Sequence, residues 1–221
     1  MNFLNWIKKY INFVLFPIKC VICNKKSQNY ICNNCKNYLK SIFKPKIVDS
    51  IRYELTCVSC FEYKNEIRDI IHKFKFKNCK DIALVLSDFL YLGIKKIFKD
   101  EKIDLVTFVP IFPSSQDDLK YNHSEILAKK VAKKLGKPIK NCLKKIYNNK
   151  KQHKLSFYER QKNVKNVYKS LENFKNKKIL ICDDIITTGS TLLECKTELE
   201  KSGAKVLCAT VAFTVLDILD K

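Results

Sequence analysis

A chain of 221 residues with 46% hydrophobic and 11% aromatic side chains can build one α/β domain with a real core plus a small accessory module, and that composition excludes a disordered chain. The 43 Lys and Arg against 22 Asp and Glu leave a net charge of +21, a field that draws polyanions and phosphorylated small molecules alike. Only Arg52, Arg68 and Arg160 are arginines and Lys, Asn and Ile crowd every segment, so nucleic-acid affinity and an AT-rich coding bias both account for the charge.

Residues 1–19 set Phe3, Leu4, Trp6, Ile7, Ile11, Val14, Leu15 and Phe16 at helical spacing among Lys8 and Lys9. This predicts a short amphipathic helix packed on the chain's own body, with contact at a membrane surface as the alternative. The run is too short and too interrupted to span a bilayer, and no small-residue cleavage site ends it, so neither a transmembrane segment nor a secretion signal is expected. Next come two Cys-x-x-Cys pairs, Cys20 with Cys23 and Cys32 with Cys35. Two such knuckles can place four thiolates tetrahedrally around Zn²⁺, supplying folding energy that so small a loop cannot draw from a core. Disulfides would need an oxidising compartment, and a redox motif would need a βαβ setting. A structural zinc finger in a reducing, cytoplasmic protein is therefore expected.

Residues 50–63 alternate Ile51, Tyr53, Leu55 and Cys57 in strand fashion. A strand puts residues three apart on opposite faces, so Cys57 and Cys60 are read as strand residues, a second metal site remaining the alternative. Cys79, Cys142, Cys182, Cys195 and Cys208 are read as apolar fillers. Two helical patterns follow. One, over 65–75, carries Ile67, Ile70, Ile71 and Phe74; the other, over 81–98, carries Ile82, Val85, Leu86, Phe89, Leu90, Ile94 and Ile97.

From residue 103 onward strands and helices alternate. A strand is expected over 103–109, a helix over 122–135, an extended piece near 139–146, a polar loop over 147–162, a strand over 179–182, a helix over 191–202 and a strand over 205–213. That βαβ rhythm predicts an α/β fold with a parallel sheet flanked by helices. Gly203 falls where a helix C-terminal cap belongs. The domains are expected at 1–45 for the N-terminal helix and finger, 46–100 for a strand and helical connector, and 101–221 for the core.

Residues 179–191 carry the chemistry. An apolar strand ends in Asp183 and Asp184, and the loop of Thr187, Thr188, Gly189, Ser190 and Thr191 opens the next helix. Ligands of an open parallel sheet gather beyond the carboxyl ends of its strands. Two carboxylates there can accept hydrogen bonds from vicinal hydroxyls or approach a hydrated Mg²⁺, while a helix N-terminus rich in N–H groups and hydroxyls suits a phosphate monoester. Ordinary helix capping uses the same residue types, but not this whole set in this order. No Gly-x-Gly and no Gly-x-x-x-x-Gly-Lys-Ser/Thr occurs, so the dinucleotide fingerprint and the triphosphate loop are both absent.

The segment resembles the ribose-phosphate motif of type I phosphoribosyltransferases, which bind 5-phosphoribosyl-1-pyrophosphate (PRPP). Within that superfamily the chain is similar to the ComF/GntX family, whose members join a cysteine-rich N-terminal finger to a phosphoribosyltransferase domain. The resemblance extends to Gln152, Leu155, Arg160, Asn163 and Tyr168, and to Asn122, Glu125 and Ala128 of the first core helix. It implies Asp183 and Asp184 on the ribose and metal, residues 187–191 on the 5′-phosphate, and the two helices before the core as part of a hood over an acceptor base. It also implies a closing loop at 147–162, where Lys150, Lys151, His153, Lys154 and Arg160 meet the leaving pyrophosphate. His72, His123 and His153 are read as surface or hydrogen-bonding residues without triad logic. The chain departs from the family between Pro113 and Lys120: the usual arginines are missing, Asp117 and Asp118 stand there, and Lys120 takes the place of a glycine where it can compensate. Two functions follow from the resemblance. One is Mg²⁺-dependent phosphoribosyl transfer from PRPP; the other is a non-catalytic accessory role in DNA uptake during natural transformation, with single-stranded DNA or a competence ATPase as partner. A homodimer is implied as well.

Overall fold

The computed structural model describes residues 19–49, 55–76, 81–112, 121–146 and 166–214. In chain order they form α1 (Asn33–Ile42), β1 (Lys46–Asp49), β2 (Thr56–Glu62), α2 (Asn65–Phe76), α3 (Ile82–Ile97), β3 (Leu105–Phe108), α4 (His123–Leu135), β4 (Leu143–Lys145), β5 (Tyr168–Ser170), β6 (Lys178–Ile186), α5 (Ser190–Lys201) and β7 (Lys205–Phe213). Five strands make one sheet in the order β1-β2-β7-β6-β3, parallel throughout except for β1, which runs antiparallel to β2 at the edge. The short strands β4 and β5 pair antiparallel as a separate ribbon.

Strand alternation divides the core in two. Leu180 and Cys182 point to one face of β6 with Val58 and Cys60 of β2, where α2, α3 and α4 cover them. Ile179 and Ile181 point to the other face with Leu55 and Cys57, beneath α5 and the β4–β5 ribbon. Cys57 and Cys60 thus lie on opposite faces and fully buried, as a strand requires. The Phe43, Phe61 and Phe89 rings, with centroids 5.2 to 5.7 Å apart, tie the end of α1 to β2 and α3.

Three expectations change. The strand expected over 179–182 runs on to Ile186 and takes in both aspartates, because Asp183, Ile185 and Ile186 keep their register with Thr210, Ala212 and Phe213 of β7. The extended piece near 139–146 splits into an isolated parallel bridge between Ile139 and Val106 and the ribbon strand β4. Helix α1, which begins just after Cys32 and carries Cys35, and strand β1 after it were both unforeseen. Gly203, just past α5, has φ +84° and packs so close to Lys175 that an added Cβ would stand 3.0 Å from its Cα, so both conformation and space call for glycine. The expected N-terminal helix lies outside the described residues.

Candidate functional site

Strand β6 delivers Asp183 and Asp184 to a cleft of about 820 Å³ at the carboxyl end of the parallel sheet. Each carboxylate has a partner from a different helix. Ser124 Oγ donates to Asp183 Oδ1 at 2.5 Å, and the Asp184 N–H donates to the same oxygen at 2.9 Å. Lys75 Nζ, from the last turn of α2, stands 2.9 Å from Asp184 Oδ2. The side chain of Asp184 is only 9% exposed, so this ion pair is largely withdrawn from water.

Both helices are pinned in place by hydrogen bonds, some local to the start of α4 and others reaching from it to β3 and α2. Asn122 caps α4: its Oδ1 accepts from the Ser124 and Glu125 N–H groups at 3.0 and 3.3 Å, while its Nδ2 donates to Val109 O at 3.0 Å, just past β3. Ser124 is thereby aimed at Asp183. Approaching α4, the Tyr121 hydroxyl donates to Phe74 O and His123 Nε2 donates to Lys75 O, each at 2.8 Å, satisfying carbonyls at the end of α2 and fixing Lys75 over Asp184. His123 also meets Phe74 edge-on. Burial lowers the His123 imidazole below its usual range, against the pull of Asp184, so it serves this joint as a neutral donor.

Desolvation, reinforced by the adjacent Asp184 charge, pushes the Asp183 carboxyl up to about 7, against the opposing help of Ser124 and Lys75. Burial works against the Lys75 ammonium, but the two aspartates outweigh it and raise Lys75 above the ordinary lysine range.

The loop at 187–189 supplies the other wall. Gly189 takes φ +80° at the N-cap of α5 and, having no side chain, leaves the first turn uncapped. The first bond of the helix runs from the Leu193 N–H to Gly189 O at 2.8 Å. Among the described residues the N–H groups of Gly189, Thr191 and Leu192 have no hydrogen-bond partner. Thr188 Oγ1 accepts from the Ser190 N–H at 3.3 Å and shares a 2.9 Å hydrogen bond with Ser190 Oγ. A capped helix would have spent these donors internally; here they stay available to an anion.

All the predicted ribose-phosphate residues, Asp183, Asp184, Thr187, Thr188, Gly189, Ser190 and Thr191, therefore line one cleft. Lys120, Arg160, Lys150, Lys151, His153 and Lys154 lie outside the described residues. Sequence reasoning missed Lys75 and Ser124, along with Tyr63, Arg68, His72 and Phe76 on the same cleft. Ser124 was visible as the second residue after a capping Asn; Lys75 was one lysine among many, with nothing local to mark it.

A second site lies in the finger. The Sγ atoms of Cys20, Cys23, Cys32 and Cys35 all fall within 4.8 Å of one another, and Cys23 and Cys32 are 3.8 Å apart. Tetrahedral Zn–S bonds of about 2.3 Å require sulfur separations of about 3.8 Å, so the four thiols can hold such an ion. Burial opposes the Cys20 thiolate, yet hydrogen bonds from the backbone of Cys23, Cys32 and Ile22 bring it down to about 6. The Cys20 N–H donates to Lys25 O and the Asn24 N–H to Cys20 O, both at 2.8 Å, closing the first knuckle. Lys73 Nζ donates to Ile22 O at 2.7 Å, tying the knuckle to α2, whose far face lines the cleft.

The phosphoribosyl transferase domain family matches residues 122–217. Competence protein F of Haemophilus influenzae is 26% identical over 215 residues, spanning 86% of this chain and 94% of that one. DNA utilization protein YhgH of Escherichia coli is 26% identical over 163 residues, or 70% of this chain and 72% of that one. Together these matches support a ComF-type phosphoribosyltransferase-like protein. Among solved structures, an adenine phosphoribosyltransferase aligns over 82% of this chain and 91% of its own at 16% identity, with a TM-score of 0.46. The match to the transferase domain begins at Asn122, the residue that caps α4 and so sets Ser124 against Asp183. No helix among the described residues is long and apolar enough to cross a membrane.

Proposed function

We propose that the cleft binds PRPP or a ribose 5-phosphate with Mg²⁺ and that the protein transfers the phosphoribosyl group to an acceptor. The observation that carries this reading is the uncapped turn at Gly189, which leaves unpaired N–H groups in the same cleft as two adjacent carboxylates. The N–H groups and the hydroxyls of Thr187, Thr188, Ser190 and Thr191 receive the 5-phosphate, with the α5 dipole favouring its charge. Asp184 and Asp183 accept from the ribose hydroxyls. Their hard oxygens also suit Mg²⁺, which when bound neutralises charge on a departing pyrophosphate. In the transfer, the ribose C1–O bond to pyrophosphate breaks and a bond from C1 to the acceptor forms. Positioning and charge stabilisation carry such a reaction, so no nucleophilic side chain is needed. Arg160 and Lys120 are assigned to the pyrophosphate, Cys20, Cys23, Cys32 and Cys35 to a structural Zn²⁺, and the setting to the cytoplasm.

The names of the relatives favour a second reading: an accessory role in competence, handling DNA taken up by the cell, with the basic surface on single-stranded DNA or a partner ATPase. The two roles are compatible, since a PRPP site can sense as well as transfer. Calorimetric titration with PRPP and Mg²⁺ tests the site. Binding that is lost in Asp184→Ala is expected; no binding, or binding indifferent to that change, sinks the proposal. Pyrophosphate release that depends on an added base separates transfer from sensing.

A further inference from the structure

We infer that Arg68, His72 and Phe76 of α2 form the acceptor subsite and that it takes a planar heterocycle bearing a carboxylate, an inference that rests on the ribose-phosphate reading above. These residues stand at i, i+4 and i+8, so they share one stripe of the helix, and all line the cleft that holds Asp183 and Asp184. Lys75, in the last turn of α2, touches Asp184. From there, at a rise of about 1.5 Å per residue, the stripe runs roughly 10 Å outward to Arg68. A ribose phosphate held by the aspartates and the 187–191 turn leaves this stretch of the cleft for the second reactant. A volume of about 820 Å³ accommodates both.

The side chains fit one chemistry. Phe76 lines the cleft with 55% of its surface exposed, and its ring lies 4.8 Å from that of His72 at an angle of 46°. Such a corner offers a face for a flat ring to cover and an edge for it to meet, with aromatic surface leaving water as it does so. Arg68 makes no ion pair with any described residue, whereas Lys75 is engaged by Asp184. A guanidinium without an ion pair among the described residues, one turn beyond an aromatic pair, matches a carboxylate with its fork while the ring stacks. A neutral base leaves that charge unanswered, and a polyphosphate makes no use of the aromatic corner.

The test uses the zinc-loaded full chain in calorimetric titrations. Ribose 5-phosphate is titrated first; orotate, uracil and adenine follow in its saturating presence, and inorganic pyrophosphate is titrated separately. Orotate should bind at least roughly tenfold tighter than uracil or adenine, as a bidentate carboxylate contact implies. Arg68→Ala should abolish that preference with ribose 5-phosphate affinity unchanged, and Phe76→Ala should weaken all three heterocycles. Equal binding of orotate and uracil overturns the inference. So does an Arg68→Ala variant that keeps its orotate affinity, or one that loses pyrophosphate affinity instead. If ribose 5-phosphate binds the wild type and no heterocycle follows, this inference alone falls; if ribose 5-phosphate itself does not bind, the underlying reading falls.

Discussion

Replacing Asp183 by Asn should remove a pH dependence of stability that is written into the cleft. The folded-state pKa of Asp183 is raised from 3.8 to about 7, so the native protein binds a proton that the unfolded chain has already released. Its stabilising contribution is fully present below about pH 4 and is lost as pH rises through about 7. At about 1.4 kcal/mol per pKa unit the full effect is about 4 kcal/mol, of which roughly half falls between pH 5.5 and pH 8. Asn keeps the oxygen that accepts from Ser124 Oγ and the Asp184 N–H, but it carries no charge. Chemical denaturation of both proteins at the two pH values isolates this effect, because the self-repulsion of a +21 chain is nearly common to both. The stability of Asp183→Asn relative to wild type should rise by about 2 kcal/mol from pH 5.5 to pH 8. A difference that stays constant to within about 0.5 kcal/mol would refute the coupling of Asp183 to its surroundings.

Lys75→Met leaves Asp184 withdrawn from water without its cation and should cost about 2 to 4 kcal/mol in denaturant melts at pH 8; adding Asp184→Asn should recover most of that, and a loss under about 0.5 kcal/mol would count against the pair. Gly93→Ala places a Cβ 2.6 Å from Cys60 Sγ, so overpacking of about 1 to 3 kcal/mol should outweigh the gain in helix propensity. Cys60→Ala in the same chain should relieve the clash, and failure to do so refutes that cause. If the four cysteines hold a metal, a chelator should expose the thiols of Cys20, Cys23, Cys32 and Cys35 to a thiol reagent while Cys57, Cys60, Cys142, Cys182, Cys195 and Cys208 stay protected in the core. Thiol reactivity unchanged by chelation would exclude a metal-held finger. Because Lys73 ties the knuckle to α2, the same treatment should lower the thermal midpoint of the whole chain in a scanning calorimeter, and an unmoved midpoint would mean that the finger is not coupled to the core.

What the sequence revealed and what it concealed divide along physical lines. Strand β6, helix α5 and strand β7 were legible because long apolar alternation and a positive-φ glycine mark them locally. Helix α1 was hidden because only Leu39 of its ten residues is buried, and β1 and β5 are too short to show a period. The end of β6 was misplaced because a pair of aspartates looks like a strand terminus; it is the partners Ser124 and Lys75, 59 and 109 positions away in sequence, that let the carboxylates remain in the ladder. Such partners are set by topology, and no local pattern announces them. The phosphate turn was legible for the opposite reason: its N–H groups, its glycine and its hydroxyls are consecutive.

Lys75 also alters what binding at the cleft means. A carboxylate left bare in this setting would either take up a proton or destabilise the fold, and Asp183 already leans toward the first course. At Asp184 an ammonium supplied by α2 stands against the carboxylate. A ligand that takes Asp184 Oδ2 must displace Lys75, so part of its contact energy replaces an existing ion pair and does not appear as net affinity. The lysine is not lost to the site when it is displaced, because it stays on the cleft wall as a cation beside whatever anionic groups the ligand brings. Occupancy thus exchanges an internal ion pair for a ligand-mediated one, and α2, which carries Lys75 and is tied to the finger through Lys73, is the element whose position that exchange tests.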